Sequence, residues 1–197
     1  TNLINKNFRL TIINWMCILK ITILKKINTK SIHLNKKVSF VIPCKNEENN
    51  IKTFEKEIKE NNLSTEYLFG DDNSSDKTID EINKLIEKLN KNKIIKYHGP
   101  GVCKSENVYK GIDLSSGDII VIYDADLTVS FRDIAISIDI LKKTNADFIN
   151  CTRMIYPQKD GAMKFSNFIG NSFFASLFSL LFKKRITDTL CGTKIFF

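Results

Sequence analysis

The chain has 197 residues, the size of one domain at roughly 100–200 residues per domain. Its 43% hydrophobic and 26% charged residues exclude wholesale disorder and collagen-like or low-complexity architectures. The 30 Lys and Arg residues against 22 Asp and Glu give a net charge of +8. This charge favours an anionic partner. Phosphate esters, nucleic acid and anionic lipid headgroups are all candidates. A composition rich in Ile, Asn and Lys explains it equally well without any partner.

The five cysteines are scattered along the chain, and no two form a C-x-x-C pair: Cys17, Cys44, Cys103, Cys151 and Cys191. This spacing argues against a disulfide framework and against a structural zinc site, so we expect a reducing compartment. The chain begins with Thr, and residues 193–197 have the pattern of a strand that continues to the last residue of the sequence. We therefore expect a fragment of a longer protein, truncated at its C terminus.

Residues 1–37 are predicted to lie outside the main domain. Residues 8–24 are strongly apolar, but Lys20 interrupts them and they are shorter than the ~20 residues of a membrane span. We interpret them as an interfacial or packing element, or as the tail of an upstream domain, with a membrane span as the less favoured alternative. Residues 25–37 are interpreted as a basic linker. The main domain is then predicted at 38–197.

From Val38 onward, short β-rich runs alternate with amphipathic helical segments. Strands are predicted at 38–43, 66–69, 93–97, 119–123 and 147–151, and helices at 51–60, 78–91, 105–114 and 131–143. Thr78 and Glu81 match a capping box, and Ser105 is predicted to cap the third helix. Strands and helices that alternate at this spacing predict an α/β fold with a largely parallel sheet.

Residues 165–182 predict a different kind of helix. Apolar side chains lie nearly all round its helical wheel, which is typical of a helix that is buried in a core or lies against lipid. Lys183, Lys184 and Arg185 follow directly, as in a polybasic segment beside an anionic membrane. A core helix followed by a solvated charge run explains the same residues equally well.

Three predicted strands end in acidic or amide-bearing loops, at residues 43–48, 71–76 and 124–126. In open parallel sheets, ligands bind at the carboxyl ends of the strands. Asp124 and Asp126 follow a wholly apolar strand, and residues i and i+2 of a strand point to the same side. The pair is therefore predicted to hold a hard divalent cation together with a diphosphate. The alternatives are a solubilising role for Asp124 and Asp126, and helix capping for Asp71 and Asp72.

Other site motifs are absent from the sequence. It contains no P-loop, no dinucleotide fingerprint and no G-x-S-x-G elbow. His33 and His98 lie in unrelated segments, so a histidine triad or metal site has no support. The basic residues are spread out and are not interleaved with aromatic residues, which argues against nucleic-acid binding.

Four blocks of sequence together resemble a known family. They are VSFVIPCKNEE at 38–48, DDNSSD at 71–76, the segment 99–118 and YDADL at 123–127. In this order they resemble the family 2 glycosyltransferases of GT-A fold. Blocks at 150–153, 160–163, 170–171 and 188–194 are similar to the branch that glycosylates polyprenyl phosphates, the dolichyl-phosphate mannose and glucose synthases. The resemblance implies a Rossmann-like, mostly parallel sheet with helices on both faces, and a family 2 domain over 38–197.

The resemblance also implies roles for residues of the nucleotide pocket. Pro43, Asn46 and Glu47 would line this pocket. Asp71 would accept a hydrogen bond from the base of the donor nucleotide, and Asp72 would support the loop.

Further roles follow for the diphosphate and acceptor ends of the site. Lys104 would approach the donor, Asp124 would face the ribose and the metal, and Ala125 would contribute to donor binding. Asp126 would ligate Mg²⁺ or Mn²⁺, which bridges the diphosphate. Arg153 would lie near the acceptor phosphate, a role that suits a guanidinium because it donates two parallel hydrogen bonds.

The implied activity is metal-assisted, inverting transfer of a hexose from a UDP-glucose- or GDP-mannose-type donor to a polyprenyl phosphate. We expect the protein to be cytoplasmic and peripheral to the cytoplasmic face of a membrane. A phosphate acceptor is already ionised, so the reaction does not require a general base. Asp188 is therefore either a general base or a residue that holds the 191–192 loop. Two alternatives stay open. One is a family 2 enzyme of cell-envelope polysaccharide synthesis that acts on a glycan or lipid hydroxyl, and the other is an inactive truncated remnant.

Overall fold

The computed structural model describes residues 8–13, 21–26, 36–60, 65–89, 93–144, 146–152, 165–183 and 185–197. Eight strands lie in these residues: β1 (Phe8–Ile13), β2 (Ile21–Lys26), β3 (Val38–Cys44), β4 (Thr65–Asp71), β5 (Lys93–His98), β6 (Ile119–Ile122), β7 (Ala146–Asn150) and β8 (Lys194–Phe196). The helices are α1 (Glu48–Glu60), α2 (Thr78–Lys88), α3 (Lys104–Leu114), α4 (Phe131–Lys143) and α5 (Phe165–Phe182). The chain forms two compact units, one at 35–135 and one from 1–34 with 136–196.

The unit at 35–135 contains a parallel sheet in the order β6-β3-β4-β5. Val41 of β3 lies opposite Leu68 of β4 on one side and Ile122 of β6 on the other. Both flanking strands run parallel to β3, so the carboxyl ends of all the strands lie at the same edge. The parallel sheet predicted from the alternating pattern is confirmed in this unit.

An aromatic core covers one face of this sheet. Phe131 at the start of α4 packs against Tyr123, with ring centroids 5.0 Å apart, and stacks on Phe40 at 5.5 Å. Phe54 of α1 meets Phe69 of β4 edge to face at 5.3 Å. All of these rings are buried. Such aromatic pairs contribute about 0.5–1.5 kcal/mol each beyond the burial of their area, so α1 and the first turn of α4 are held firmly on this face.

Helix α3 packs on the opposite face of the sheet, where two glycines make room for Tyr97. A Cβ atom on Gly111 would lie 2.4 Å from both Val41 Cγ1 and Tyr97 Oη, and one on Gly70 would lie 2.3 Å from the Tyr97 ring. The Tyr97 hydroxyl donates to the backbone carbonyl of Asn107 at 2.9 Å, and burial raises its pKa. Helices therefore cover both faces of the parallel sheet, as expected.

The second unit is built on antiparallel strands. β1 pairs with β2, β2 with β7, and β7 with β8. The interpretation of residues 8–24 did not include strands, whereas the structure places β1 within this segment and begins β2 there. β2 also extends to Lys26, into the predicted basic linker. The boundary between 1–37 and the main domain stays a prediction.

Helix α5 has the bounds that its sequence predicts, residues 165–182. Among the described residues, no helix is both long enough and apolar enough to cross a membrane.

Two predicted helix caps are wrong. The N-cap of α2 is Lys77, and Thr78 is a buried residue of the first turn whose hydroxyl is used by the preceding loop, so no capping box forms. The N-cap of α3 is Cys103, which makes no side-chain cap hydrogen bond, and Ser105 lies inside the helix. In both cases the helix begins earlier than the side-chain pattern suggests.

Candidate active site

The loops that follow β3 and β4 hold each other through reciprocal hydrogen bonds. The backbone N–H of Asn46 donates to Ser74 Oγ at 2.9 Å, and that of Glu47 donates to Thr78 Oγ1 at 2.8 Å. In the other direction, the backbone N–H of Ser75 donates to Asn46 Oδ1 at 2.8 Å. Asn46 has a φ of 57°, a left-handed conformation that Asn tolerates better than most residues. The polar side chains of both loops are thus used to fix the edge of the sheet.

Asp76 links the same two loops and was not predicted as a site residue. Its carboxylate accepts hydrogen bonds from the backbone N–H of Glu48 at 3.2 Å and of Thr78 at 3.0 Å, and from the Thr78 hydroxyl. Burial raises the pKa of Asp76, but the hydrogen bonds from Thr78 and Glu48 outweigh it, and the pKa lies below the usual 3.8. The sequence signal is an Asp two residues before a Thr at the start of a helix, which is typical of an Asx turn.

The lowered pKa of Asp76 predicts how loop stability depends on pH. A carboxyl group with a depressed folded-state pKa stabilises the fold above its unfolded value of 3.8, and this contribution is lost as the pH falls through the folded pKa. We expect Asp76→Asn to lower the free energy of unfolding at neutral pH. The difference from wild type should shrink below pH 3.8. Urea unfolding over a pH series measures it, and a difference independent of pH would contradict the assignment.

Asp71 at the end of β4 carries an unsatisfied oxygen. The residue is 1% exposed; Oδ2 accepts from the backbone N–H of Ser74 at 3.3 Å, while Oδ1 has no hydrogen-bond partner. Glu66 at the other end of the same strand is also buried, but it accepts hydrogen bonds from Ser39 at 2.7 Å and Ser116 at 2.8 Å. A buried acceptor without a donor costs about 1–3 kcal/mol. Asp71 Oδ1 is therefore an unused hydrogen-bond acceptor at the carboxyl edge of the sheet.

Asp72 joins the loop after β4 to the loop after β5. Its backbone N–H donates to Cys44 O at 2.9 Å, and its Oδ1 accepts from the backbone N–H of Gly101 at 2.8 Å. Gly101 has a φ of 78°, and a Cβ there would lie 2.3 Å from Asn73 Nδ2. A larger residue at position 101 would thus have to displace the Asn73 side chain and adopt a strained backbone conformation.

The loop after β6 differs from its prediction. β6 ends at Ile122, Ala125 and Asp126 form a turn, and Leu127 has a φ of 55°. Asp124 and Asp126 were predicted to point to the same side because they would lie in a strand. This prediction is wrong, because the strand ends before it reaches them. Asp126 is exposed, and its Oδ1 accepts from the backbone N–H of Thr128 at 3.0 Å.

Lys104 at the start of α3 forms an ion pair with Asp124. The carboxylate is largely buried, whereas 58% of the lysine side chain is exposed. The ammonium group is therefore free on one side to contact another anion. This pairing was not predicted, although Lys104 itself was.

The two carboxylates fit a divalent metal only in part. Among the described residues, no group of three or more His, Cys, Asp or Glu side chains is placed to hold a metal ion. Mg²⁺ is commonly bound by one or two carboxylates, with water and substrate phosphates as the remaining ligands. Asp124 and Asp126 supply two oxygen-bearing groups of this type, which fits an ion that arrives with a diphosphate.

Asp188 lies in the other unit and is held inside a polar network. It is fully buried, and its Oδ1 accepts hydrogen bonds from Asn171 Nδ2 at 3.0 Å and from the backbone N–H groups of Leu190 at 2.9 Å and Cys191 at 3.0 Å. Lys194 Nζ donates to the Cys191 carbonyl at 2.8 Å. These contacts favour the loop-holding role of Asp188 over the base role.

The remaining predicted site residues lie as follows. Pro43 is buried in β3 opposite Gly70, and Ala125 is buried in the turn after β6. Glu47 Oε2 accepts from Asn50 Nδ2 at 2.6 Å. Arg153 lies outside the described residues. The structure thus brings Asn46, Glu47, Asp71 and Asp72 into connected loops, and the Asp124–Lys104 pair follows other strands of the same sheet edge.

The α/β fold of this chain, with acidic loops at the carboxyl edge of its parallel sheet, matches that of the GT-A glycosyltransferases. The family model described as Glycosyl transferase family 2 matches residues 39–197, and the chain belongs to this family. No curated protein sequence matches the chain.

Three similar solved structures are distant in sequence. Glucosyl-3-phosphoglycerate synthase from Mycobacterium tuberculosis is 17% identical with a TM-score of 0.56, over 84% of this chain and 59% of that chain. The mannosyltransferase PcManGT from Pyrobaculum calidifontis, in complex with GDP-Man and Mn²⁺, is 22% identical with a TM-score of 0.44, over 46% and 28%. S. aureus TarS 1-349 is 20% identical with a TM-score of 0.43, over 52% and 32%. This chain therefore spans less than two thirds of the length of each.

Proposed function

We propose that the protein transfers a hexose from a nucleotide-sugar donor of the UDP-glucose or GDP-mannose type to a polyprenyl phosphate at the cytoplasmic face of a membrane. The observation that carries the donor half is the unsatisfied, buried Oδ1 of Asp71 at the carboxyl edge of the sheet. At this position Asp71 accepts a hydrogen bond from an N–H group of the base. Uracil and guanine both present such a group.

The chain's own residues prepare the site for the diphosphate. Lys104 neutralises Asp124 in the protein alone, and its exposed ammonium group can turn to a phosphate oxygen when the donor binds. Asp124 and Asp126 would hold Mg²⁺ or Mn²⁺, and the bound ion would stabilise the negative charge of the leaving diphosphate. A glucosyl-3-phosphoglycerate synthase of similar fold was solved with Mn²⁺ and UDP, which supports this assignment.

The acceptor half of the proposal depends on charge. A phosphate monoester is ionised at neutral pH, so its oxygen attacks the anomeric carbon without a base that removes a proton. Asp188 supports a reaction of this kind, because it is fully buried and its Oδ1 is used to hold Asn171 and the 190–191 backbone. Arg153 is proposed to bind the acceptor phosphate.

Asp71→Asn tests the donor site. Asn is the same size and keeps an acceptor for the Ser74 N–H, but it puts an NH₂ group where the unsatisfied oxygen lies. We expect nucleotide binding, measured by calorimetry with UDP and with GDP, to weaken about 10- to 100-fold, since a hydrogen bond to a charged group contributes ~1.5–3 kcal/mol. Asp80→Asn, on the exposed surface of α2, is the matched control and should bind as wild type. Equal affinity in both variants would refute the base-binding role.

The acceptor is tested by transfer assays with radiolabelled UDP-glucose and GDP-mannose. Product is expected with a polyprenyl phosphate and not with the corresponding polyprenol, because only the phosphate supplies an ionised oxygen. Transfer to a glycan or lipid hydroxyl in place of the phosphate would favour the alternative enzyme. Donor binding without any transfer would point to the inactive remnant.

A further inference from the structure

Helix α5 has two faces of opposite character. Asn171 and Ala175 lie on its buried face. At about 100° per residue, the exposed large apolar side chains fall within an arc of about 140° on the other side. These side chains are Ile169, Phe173, Phe174, Leu177, Leu180 and Leu181.

The buried face of α5 is fixed by polar contacts. Asn171 donates to Asp188 Oδ1 at 3.0 Å and accepts from the backbone N–H of Thr189 at 2.8 Å. One turn of helix before the end of α5, Ser179 Oγ accepts from the backbone N–H of Ile186 at 2.8 Å. The returning segment 186–191 is thus tied to one side of the helix. These contacts determine which way α5 faces, and they leave its apolar arc outward.

The outward arc is unusually apolar for a surface that faces only water. Leu180 is 76% exposed, and Phe173 and Leu181 are each 63% exposed. Contiguous apolar patches on a protein surface mark interaction sites. The nature of the partner follows from charge: residues 165–182 contain no Asp or Glu, and Lys183, Lys184 and Arg185 follow directly, with Lys183 and Arg185 exposed.

We propose that the apolar arc of α5 docks on a membrane surface that contains anionic lipids, with its aromatic and leucine side chains among the acyl chains and the basic residues that follow against the headgroups. An apolar arc flanked by positive charge is the pattern of interfacial helices. A protein partner would need an acidic rim around an apolar groove to match it. The inference rests on the proposed function, since a polyprenyl phosphate is a membrane lipid, and it names the surface by which this chain reaches that lipid.

Vesicle co-sedimentation of the whole chain tests the docking. Binding is expected to vesicles of phosphatidylcholine with phosphatidylglycerol, to be much weaker with phosphatidylcholine alone, and to fall with added salt. The double variant Leu180→Gln with Leu181→Gln should bind about 100-fold less well, at about tenfold for each leucine. Lys183→Gln with Arg185→Gln should lose about 25-fold, at about fivefold for each charge. Leu114→Gln, which changes an exposed leucine of α3, is the matched control.

A fluorescent reporter distinguishes insertion from other contacts. The sequence contains one tryptophan, Trp15, so Phe173→Trp in a Trp15→Phe background places the probe on the apolar arc. With anionic vesicles its emission should shift to shorter wavelength and be quenched by brominated acyl chains. An unshifted emission, or vesicle binding that the α5 variants leave unchanged, would overturn the inference. So would self-association through these leucines without vesicle binding, because the arc would then be a protein interface.

Nucleotide binding is measured on the same variants, so that the two proposals can fail separately. The α5 variants should bind UDP or GDP as wild type does, since the predicted donor site lies in the other unit. Vesicle binding without any nucleotide binding would support the role of α5 and count against the proposed function. Nucleotide binding without vesicle binding would support the donor site of the proposed function and overturn the role of α5.

Discussion

Asp126→Asn is expected to lower the turnover of sugar transfer by about 10²- to 10³-fold in the presence of Mg²⁺ or Mn²⁺, the range seen when one preorganised electrostatic group is removed from an active site. Asp126 Oδ1 accepts a hydrogen bond from the backbone N–H of Thr128, and Asn retains an oxygen for this contact. The turn after β6 should therefore persist in the variant. What is lost is one of the two negative charges proposed to hold the divalent ion.

Two measurements separate this effect from a general loss of activity. Mn²⁺ binding in the presence of UDP, followed by electron paramagnetic resonance, should weaken together with turnover. The matched control is Asp139→Asn, which removes an exposed carboxylate paired with Lys143 at 2.8 Å on α4. That variant should keep both turnover and metal binding. Unchanged turnover in Asp126→Asn would remove Asp126 from the proposed metal site.

Most of the α/β architecture could be predicted because hydrophobic periodicity depends on neighbouring residues alone. The stripe through Phe131, Ile134 and Ile138 gives the bounds of α4, and these side chains are buried. The two N-terminal strands were missed for the opposite reason. β2 pairs with β7, whose residues lie more than a hundred positions further along the chain, and no local pattern encodes such a partner.

The site was predicted unevenly for a related physical reason. Residue types at strand ends indicated the acidic loops, but the sequence does not show which hydroxyl or carboxylate each loop uses. Thr78 matched a helix cap, yet its hydroxyl accepts from Glu47 across the neighbouring loop and donates to Asp76. The orientation of Asp124 and Asp126 was likewise argued from strand geometry. The structure instead has a turn there, with a positive φ at Leu127, and no residue pattern in the sequence predicts this turn.

Asp188→Ala is expected to have the largest effect on stability. Asp188 Oδ1 accepts three hydrogen bonds inside the protein, and alanine would remove the acceptor that their donors share. At ~1–3 kcal/mol for each buried unsatisfied group, partly relieved by local relaxation, the free energy of unfolding should fall by about 3–5 kcal/mol. Urea denaturation of the purified chain measures this loss.

Asp188→Asn then decides between the two roles of this residue. Asparagine keeps an oxygen that can accept the same three hydrogen bonds, so a loop-holding residue should lose much less stability than in the alanine variant and retain transfer to a polyprenyl phosphate. If Asp188 is a general base, the variant should be equally stable but inactive toward a hydroxyl acceptor, because Asn cannot take up a proton. Since Asp188 is fully buried and its Oδ1 holds Asn171 and the 190–191 backbone, we expect the first result. The second would shift the proposed acceptor from a phosphate to a hydroxyl.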